Sequence, residues 1–172
     1  MTTRILVVCI GNDLVADDGV GHEIYRQLSK RALPPGVRVC LLGLGGIDLI
    51  DHLDGEELLV VVDALQLGQP AGTVRVLSWD DIPASDLRPV SGHGIGVREA
   101  LQVCRRLYPE KAAGTVYLVG VEGSCFTEVG AGLTDAVRRA VPEAVERIVE
   151  LIDGRPINSA AGGGGPRTVP PV

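Results

Sequence analysis

The sequence predicts an α/β fold with three layers, in which helices cover both faces of a mostly parallel, five-stranded sheet. Apolar, β-branched runs alternate along the chain with segments of helical periodicity, which is typical of strands connected by helices. Within the runs, polar and apolar residues do not alternate, as expected for strands that are buried on both faces. The length of 172 residues fits one such domain.

The predicted strands are short apolar runs, most of which stop at a glycine or a charged residue. In order they are Ile5–Ile10, Val37–Leu42, Leu58–Val62 (which ends on Asp63), Thr73–Leu77 and Thr115–Val121. The stretch between the third and fourth runs is a turn-rich loop around Gly68–Gly72. Such a connection is too short for a helical crossover, so we expect the fourth strand to be antiparallel to the others.

The predicted helices follow from apolar residues that recur on one helical face. They run from about Gly19 to Lys30, from Ile47 to Leu53, from Ile95 to Tyr108 and from Leu133 to Ile152, and the segment Trp79–Pro89 is polar and irregular. Leu107 and Tyr108 are expected to face inward with the rest of the third helix. Pro142 lies inside the last pattern, which it should kink or divide.

These elements place a single domain over residues 1–152. Residues 153–172 contain the glycine run Gly162–Gly165 and no periodicity. Such a composition predicts a flexible, Gly/Pro-rich tail.

Composition argues against several classes of protein. The net charge of −6 and the few aromatic residues (one Trp, three Tyr, one Phe) disfavour nucleic-acid binding, which needs basic and stacking side chains. No apolar run has the length of a membrane span, and no secretory signal pattern is visible. The four cysteines lie far apart, which predicts reduced thiols in a cytoplasmic protein. Among them, only Cys125 lies in a loop where a nucleophile is conceivable.

Ligands of parallel sheets bind beyond the carboxyl ends of the strands, and carboxylates lie at two such ends. Asp17 and Asp18 follow the first strand in a glycine-framed loop, and Asp63 follows the third. One of the paired aspartates is explained as a helix cap, but a cap does not need the second. For Asp63, a hydrogen bond to a neighbouring loop amide and a functional role remain equally open.

A histidine completes the set of candidate ligands. His93 lies in the segment Ser91–Gly96, directly before a predicted helix, whose positive end favours a neutral, metal-binding imidazole. Two carboxylates and one imidazole suit a divalent transition metal with open coordination positions, rather than a closed structural site.

The other two histidines, His22 and His52, lie in or beside helices among charged residues, and we expect both at the solvated surface. His22 follows Asp18 by four residues, so an Asp–His ligand pair is a weaker option.

The ordered set of these motifs resembles the maturation endopeptidases of nickel–iron hydrogenases, over residues 4–152. The resemblance is carried by Gly11-Asn12-x-Leu14-x-x-Asp17-Asp18-Gly19-x-Gly21, Val61-Val62-Asp63-Ala64, Ser91-x-His93-x-x-Gly96 and Gly120-Val121-Glu122. The chain departs from the family at Leu44, where relatives often have Thr, and at Asp18, where they often have Glu.

The resemblance implies a phosphorylase/hydrolase-like α/β/α fold with one antiparallel strand. It implies an aspartyl-type endopeptidase that activates a hydrogenase by removing a C-terminal extension from the nickel-loaded large-subunit precursor. Asp18, Asp63 and His93 would contact the nickel and carry the reaction. The nickel would come with the precursor, so no permanent cofactor is expected, and the enzyme would be a cytoplasmic monomer that binds neither nucleic acid nor membrane.

Two questions stay open at this point. The nickel would either polarise the scissile carbonyl or bind the attacking water, or else Asp18 or Asp63 would act as general base. The alternative function is a non-catalytic, nickel-binding accessory module for hydrogenase assembly. Related folds that act on peptidyl-tRNA or nucleosides fit less well with an acidic chain.

Overall fold

The computed structural model describes residues 4–43, 46–82 and 96–155. In it, five strands form one sheet in the order β2-β1-β3-β5-β4. The strands are β1 (Ile5–Ile10), β2 (Val37–Leu42), β3 (Leu58–Leu65), β4 (Val74–Ser78) and β5 (Thr115–Glu122). The pairs β1–β2, β1–β3 and β3–β5 are parallel, whereas β4 is antiparallel to β5. The predicted fold class and the antiparallel fourth strand are confirmed.

Four α-helices cover the two faces of the sheet. They are α1 (Val20–Leu28), α2 (Leu49–His52), α3 (Val97–Leu107) and α4 (Asp135–Ile152), and short 3₁₀ turns span Ala16–Gly19, Gly46–Asp48 and Trp79–Asp81. None of the helices in the described part of the chain is long and apolar enough to span a membrane.

The core consists of two apolar clusters, one on each face of the sheet. On β3, Val60 and Val62 belong to the cluster under α1 and α4, whereas Leu59 and Val61 belong to the cluster under α2 and α3. Successive strand residues point to opposite faces, so a strand covered on both sides needs apolar residues at every position. This is why the strands show no polar–apolar alternation.

Three expectations about the elements need correction. β3 continues through Asp63 to Leu65, because Asp63, Ala64 and Leu65 still pair with residues of β5. The last helix is not divided at Pro142: α4 is one helix of 18 residues, and Pro142 lies on its exposed side.

The third correction concerns the end of α3. Leu107 and Tyr108 are 64% and 44% exposed and do not face inward. Leu107 lies in the last turn and Tyr108 caps the helix, so both lie at the rim of the layer.

The helix α4 ends in a defined cap. Gly154 has a φ of +65°, and the N–H groups of Gly154 and Arg155 donate to Leu151 and Glu150 of the last turn. This is the left-handed glycine cap that ends many helices. The first three residues of the predicted tail therefore close the helix, and residues 156–172 lie outside the described part of the chain.

Candidate functional site

The loop after β1 folds back tightly on itself because of two glycines. A Cβ on Gly11, whose φ is +145°, would lie 2.1 Å from the carbonyl oxygen of Asp18, and one on Gly21 would lie 2.0 Å from that of Ile10. Asn12 also donates its N–H to the Asp18 carbonyl, at 3.2 Å. The two aspartates are therefore held at the edge of the sheet where β1, β2, β3 and β5 end, which we call the carboxyl edge.

Asp17 is fully buried and binds the loop that follows β5. Its carboxylate accepts hydrogen bonds from the N–H groups of Ser124, Cys125 and Thr134, at 2.9, 3.0 and 2.8 Å, and from the Thr134 hydroxyl at 3.1 Å. Burial alone would raise the pKa of Asp17, but these donors outweigh it and lower the pKa below its usual value. Asp17 is thus a structural anchor and not the helix cap that the sequence allowed.

The pKa of Asp18 shifts in the opposite direction. Only 7% of it is exposed, and burial raises its pKa, although the Asn12 N–H and the charge of His22 work against this shift. Its carboxyl group is consequently the less satisfied of the pair and the one available to a ligand.

The charge of Asp18 acts on Asp63, although Asp18 lies in the turn after β1 and Asp63 lies on β3. β1 and β3 are neighbours in the sheet, with Cys9 opposite Val62, so the residues after them meet at the carboxyl edge. Burial, together with the Asp18 carboxylate, raises the pKa of Asp63 to about 7, against a hydrogen bond of 2.8 Å from the Ala64 N–H. Asp63 therefore makes the hydrogen bond to a neighbouring amide that the sequence allowed, whereas its functional role stays a prediction.

His22 is not at the solvated surface. Its ring is 27% exposed, with Nε2 3.2 Å from the Gly11 carbonyl oxygen and Nδ1 3.7 Å from an Asp13 carboxylate oxygen. Both ring nitrogens already face oxygens of the protein, so His22 supports the loop and makes a poor metal ligand. His52 is also partly buried, at the end of α2.

Glu122 is a functional-site candidate whose role was not evident from the motif Gly120-Val121-Glu122. It is 2% exposed, and its Oε1 accepts the N–H groups of Leu67, Gly68 and Gln69 at 2.7, 2.8 and 3.2 Å. Its Oε2 has no partner among the residues that the structure describes. In the sequence, Glu122 could have been recognised as a charged residue that directly follows an apolar run. Glu122 fixes the loop that follows β3 and so supports the strand end that carries Asp63.

The third predicted ligand, His93, lies outside the described residues, as do Ser91 and Leu44. Within residues 4–43, 46–82 and 96–155, no group of three or more His, Cys, Asp or Glu side chains is arranged to hold a metal ion. The structure therefore brings together two of the three predicted side chains, Asp18 and Asp63.

Comparison with known proteins gives a consistent family match. A family model described as hydrogenase maturation protease matches residues 22–151. The hydrogenase expression/formation protein HoxM of Azotobacter vinelandii is 30% identical over 173 residues, which cover 98% of this chain and 82% of that protein. The hydrogenase 2 maturation protease of Escherichia coli is 30% identical over 153 residues, which cover 87% of this chain and 90% of that protein.

Solved structures agree with the sequence matches. The hydrogenase maturating endopeptidase HybD from Escherichia coli superposes with a TM-score of 0.78 at 27% identity, covering 88% of this chain and 93% of that chain. The [NiFe] hydrogenase maturation protease HybD from Thermococcus kodakarensis gives a TM-score of 0.73 at 28% identity, covering 87% and 99%.

Proposed function

Since the chain belongs to the hydrogenase maturation proteases, which are endopeptidases, we propose that it removes a C-terminal extension from the nickel-loaded large-subunit precursor of a nickel–iron hydrogenase. In this proposal the nickel arrives with the precursor and is contacted by Asp18, Asp63 and His93. The protease itself keeps no permanent cofactor.

The observation that carries the proposal is the pair of carboxyl groups at the carboxyl edge, of which Asp18 is buried and Asp63 partly buried. Asp18 and Asp63 come from different strands, and the charge of Asp18 contributes to the raised pKa of Asp63. In the described part of the chain, neither has a salt bridge to Lys or Arg. Two such groups cannot both ionise cheaply unless a cation comes between them. A precursor that carries a divalent ion supplies that cation.

His93 is proposed as the third contact from its place in the sequence. It lies three residues before Gly96, the residue that caps the start of α3. α3 packs against the turn Gly46–Asp48, which follows β2 at the carboxyl edge. An imidazole and two carboxylates leave coordination positions for ligands that the precursor itself provides.

This arrangement also explains how the protease would distinguish a loaded from an empty precursor. Without the ion, docking would leave Asp18 and Asp63 to repel each other in a site that loses water. With the ion, the same two groups become ligands. The nickel thus acts as the recognition element, and cleavage follows only after metal insertion is complete.

Two chemical routes to peptide hydrolysis fit this geometry. In the first, the nickel polarises the scissile carbonyl or the attacking water. In the second, Asp63 removes the proton from the water as general base, and the metal only positions the chain. The two routes differ in the task of Asp63, because a carboxylate that ligates a divalent ion has its pKa lowered and is a weaker base.

The deciding experiment compares nickel-loaded and nickel-free precursor as substrates of the purified protein, with cleavage read by the mass of the products. We expect cleavage of the loaded precursor only, and its complete loss in His93→Ala. The matched control is His52→Ala, which should keep full activity because His52 lies on α2, away from Asp18 and Asp63.

Equal cleavage of both precursors would contradict the role of nickel. Full activity of His93→Ala would contradict the proposed site, and binding of the loaded precursor without cleavage would assign the chain to the accessory modules.

A further inference from the structure

The two segments that carry the candidate site carboxylates are hydrogen-bonded to the same short stretch of chain. Asp18 lies in the 3₁₀ turn Ala16–Gly19, and Asp63 lies near the end of β3. Residues 122–125 are the last residue of β5 and the first three of the loop that follows it. They contact the turn on one side and the end of β3 on the other, and we call them the brace.

On the side of β3, the brace fixes both the end of the strand and the loop beyond it. Gly123 donates its N–H to the carbonyl of Leu65, the last residue of β3, at 3.0 Å. Glu122 Oε1 accepts the N–H groups of residues 67–69. The main chain of Glu122 also exchanges two hydrogen bonds with residues 72 and 73, at 2.7 and 2.9 Å. The segment that follows Asp63 is therefore fastened along most of its length.

On its other side, the brace fixes the turn through Asp17. The Asp17 carboxylate accepts the N–H groups of Ser124 and Cys125, and the Cys125 carbonyl accepts the N–H of Asp17 at 2.9 Å. A Cβ on Gly123 would lie 3.0 Å from the Asp17 Cβ and 2.4 Å from Cζ of Phe126. The missing side chain at Gly123 thus lets the brace approach the turn closely. Asp18 is the next residue of this turn, so its place depends on the brace.

Both side chains that bind the brace to its neighbours are buried carboxylates. Asp17 is completely buried and Glu122 is 2% exposed, and hydrogen bonds to a charged acceptor are about twice as strong as those between neutral groups. The brace therefore joins the turn and the end of β3 through strong bonds on both sides. This matters for a hydrolytic site, because displacing a reacting group by about 1 Å can lower the rate roughly a hundredfold.

We propose that the brace sets the position of Asp18 relative to Asp63, with Asp17 and Glu122 as positioning residues for peptide hydrolysis. Neither of them touches the precursor: Asp17 acts through the turn, and Glu122 acts through the end of β3. The effect on cleavage rests on the proposed function. The mechanical connection across the brace does not, because it can be measured without a substrate.

The chain offers a matched control at the opposite end of β3. Glu56 is 3% exposed, lies two residues before β3 begins, and accepts the Asp54 N–H at 3.0 Å and a salt bridge from Arg38. It is therefore as buried and as well bonded as Glu122, but it lies at the amino ends of the strands. Replacing either glutamate should lower stability, whereas only Glu122 is connected to the candidate site.

The first test measures cleavage by Glu122→Ala, which removes the acceptor of three N–H groups. We expect kcat for the loaded precursor to fall roughly tenfold to a hundredfold. The affinity for nickel-free precursor should stay within about twofold, because no proposed contact with the precursor is removed. Glu122→Gln keeps one side-chain oxygen as acceptor and should restore most of kcat. Glu56→Ala should keep the kcat of the wild type, with urea unfolding showing a comparable loss of stability.

The second test measures the connection across the brace by amide hydrogen exchange of the protein alone. In Glu122→Ala, the N–H of Asp17 should exchange roughly tenfold faster relative to the amides of β1, which report global unfolding. In Glu56→Ala, exchange at Asp17 should change no more than exchange in β1.

Unchanged relative exchange at Asp17 in Glu122→Ala would overturn the proposal, as would equal losses of kcat in Glu122→Ala and Glu56→Ala at equal stability. A Glu122→Gln variant as slow as Glu122→Ala would also contradict it, because the charge of Glu122 and not its hydrogen bonds would then matter. If the wild type cuts no loaded precursor but exchange at Asp17 still depends on Glu122, the proposed function fails and the connection across the brace stands.

Discussion

At the residue scale, the adjacent aspartates Asp17 and Asp18 have different tasks. The 3₁₀ turn that carries them directs one carboxylate into a cage of N–H donors and the other toward Asp63. The pKa of Asp17 is lowered and that of Asp18 is raised. The fold therefore favours the charged form of Asp17 and disfavours that of Asp18. Sequence alone placed both residues at the end of β1 but did not separate them, because their directions depend on a turn whose geometry is fixed by distant partners.

We expect Asp17→Asn to destabilise the fold by about 2–4 kcal/mol. The amide N–H₂ group would face N–H donors that now bind the carboxylate, and at least one donor would stay buried without a partner. Urea unfolding measures the change in free energy. The matched control is Asp54→Asn, an 81% exposed residue in a surface salt bridge, which should change stability by less than about 0.5 kcal/mol. Equal effects would contradict the anchoring role.

Asp63 gives a prediction about the pH dependence of folding stability, which should fall as the pH rises. Its pKa is about 7 in the folded protein against an ordinary 3.8, so the folded state retains a proton that the unfolded state has released between these values. Stability from this group is present below about pH 4 and is lost as the pH rises toward 7. Asp63→Asn removes this loss, so the variant should become more stable than the wild type as the pH rises.

The gain should reach about 2–4 kcal/mol above pH 7, whereas cleavage activity should be abolished. Chemical unfolding at pH 5 and pH 8 without metal measures the difference between the two proteins. A difference that is constant with pH would contradict the raised pKa. In Asp18→Asn the pH dependence should be weaker, because one source of the shift is removed.

At the element scale, the apolar pattern located the strands well and their ends less well. β1 and β2 have the predicted bounds because a glycine follows each of them directly. β3 runs past its predicted end because Asp63 does not interrupt pairing with β5, and backbone hydrogen bonds do not depend on the polarity of the side chain. Similarly, α4 continues through Pro142 because buried residues on both sides of it, such as Val137 and Ala144, hold the helix against the sheet.

Pro142 is therefore a position in α4 at which a substitution can increase the stability of the protein. Proline lacks the N–H for the helical bond and costs about 3 kcal/mol relative to alanine in a helix interior, and its exposed position means that little packing would be lost. We expect Pro142→Ala to stabilise the protein by about 1–3 kcal/mol, measured by thermal and urea unfolding. Glu143→Ala, at the next exposed position of the same helix, serves as the control and should stay near wild type. A destabilised Pro142→Ala would show that the ring makes a contact that the fold requires.

At the scale of the whole molecule, the sequence predicted the architecture and placed Asp18 and Asp63 at one edge of the sheet, but it did not predict the residues that support this edge. Parallel topology alone implies that Asp18 and Asp63 meet, since neighbouring strands end at the same edge. The anchors could not be inferred in this way. Glu122 binds amides 53–55 positions away, and Asp17 binds groups 107–117 positions away. Local periodicity contains no information about such pairs, so both carboxylates looked like ordinary strand-end or cap residues.

The hydrogen bonds of Asp17 can form only after most of the domain has been synthesised. Contacts between residues so far apart in sequence add loop-closure entropy to the cost of folding. On the ribosome, β1 emerges long before Ser124, Cys125 and Thr134, so the Asp17 carboxylate gains these donors only after β5 has been synthesised. The turn that carries Asp18 is therefore fastened by residues that are synthesised late. In the complete domain, residues that follow β5 thus support the turn that carries Asp18.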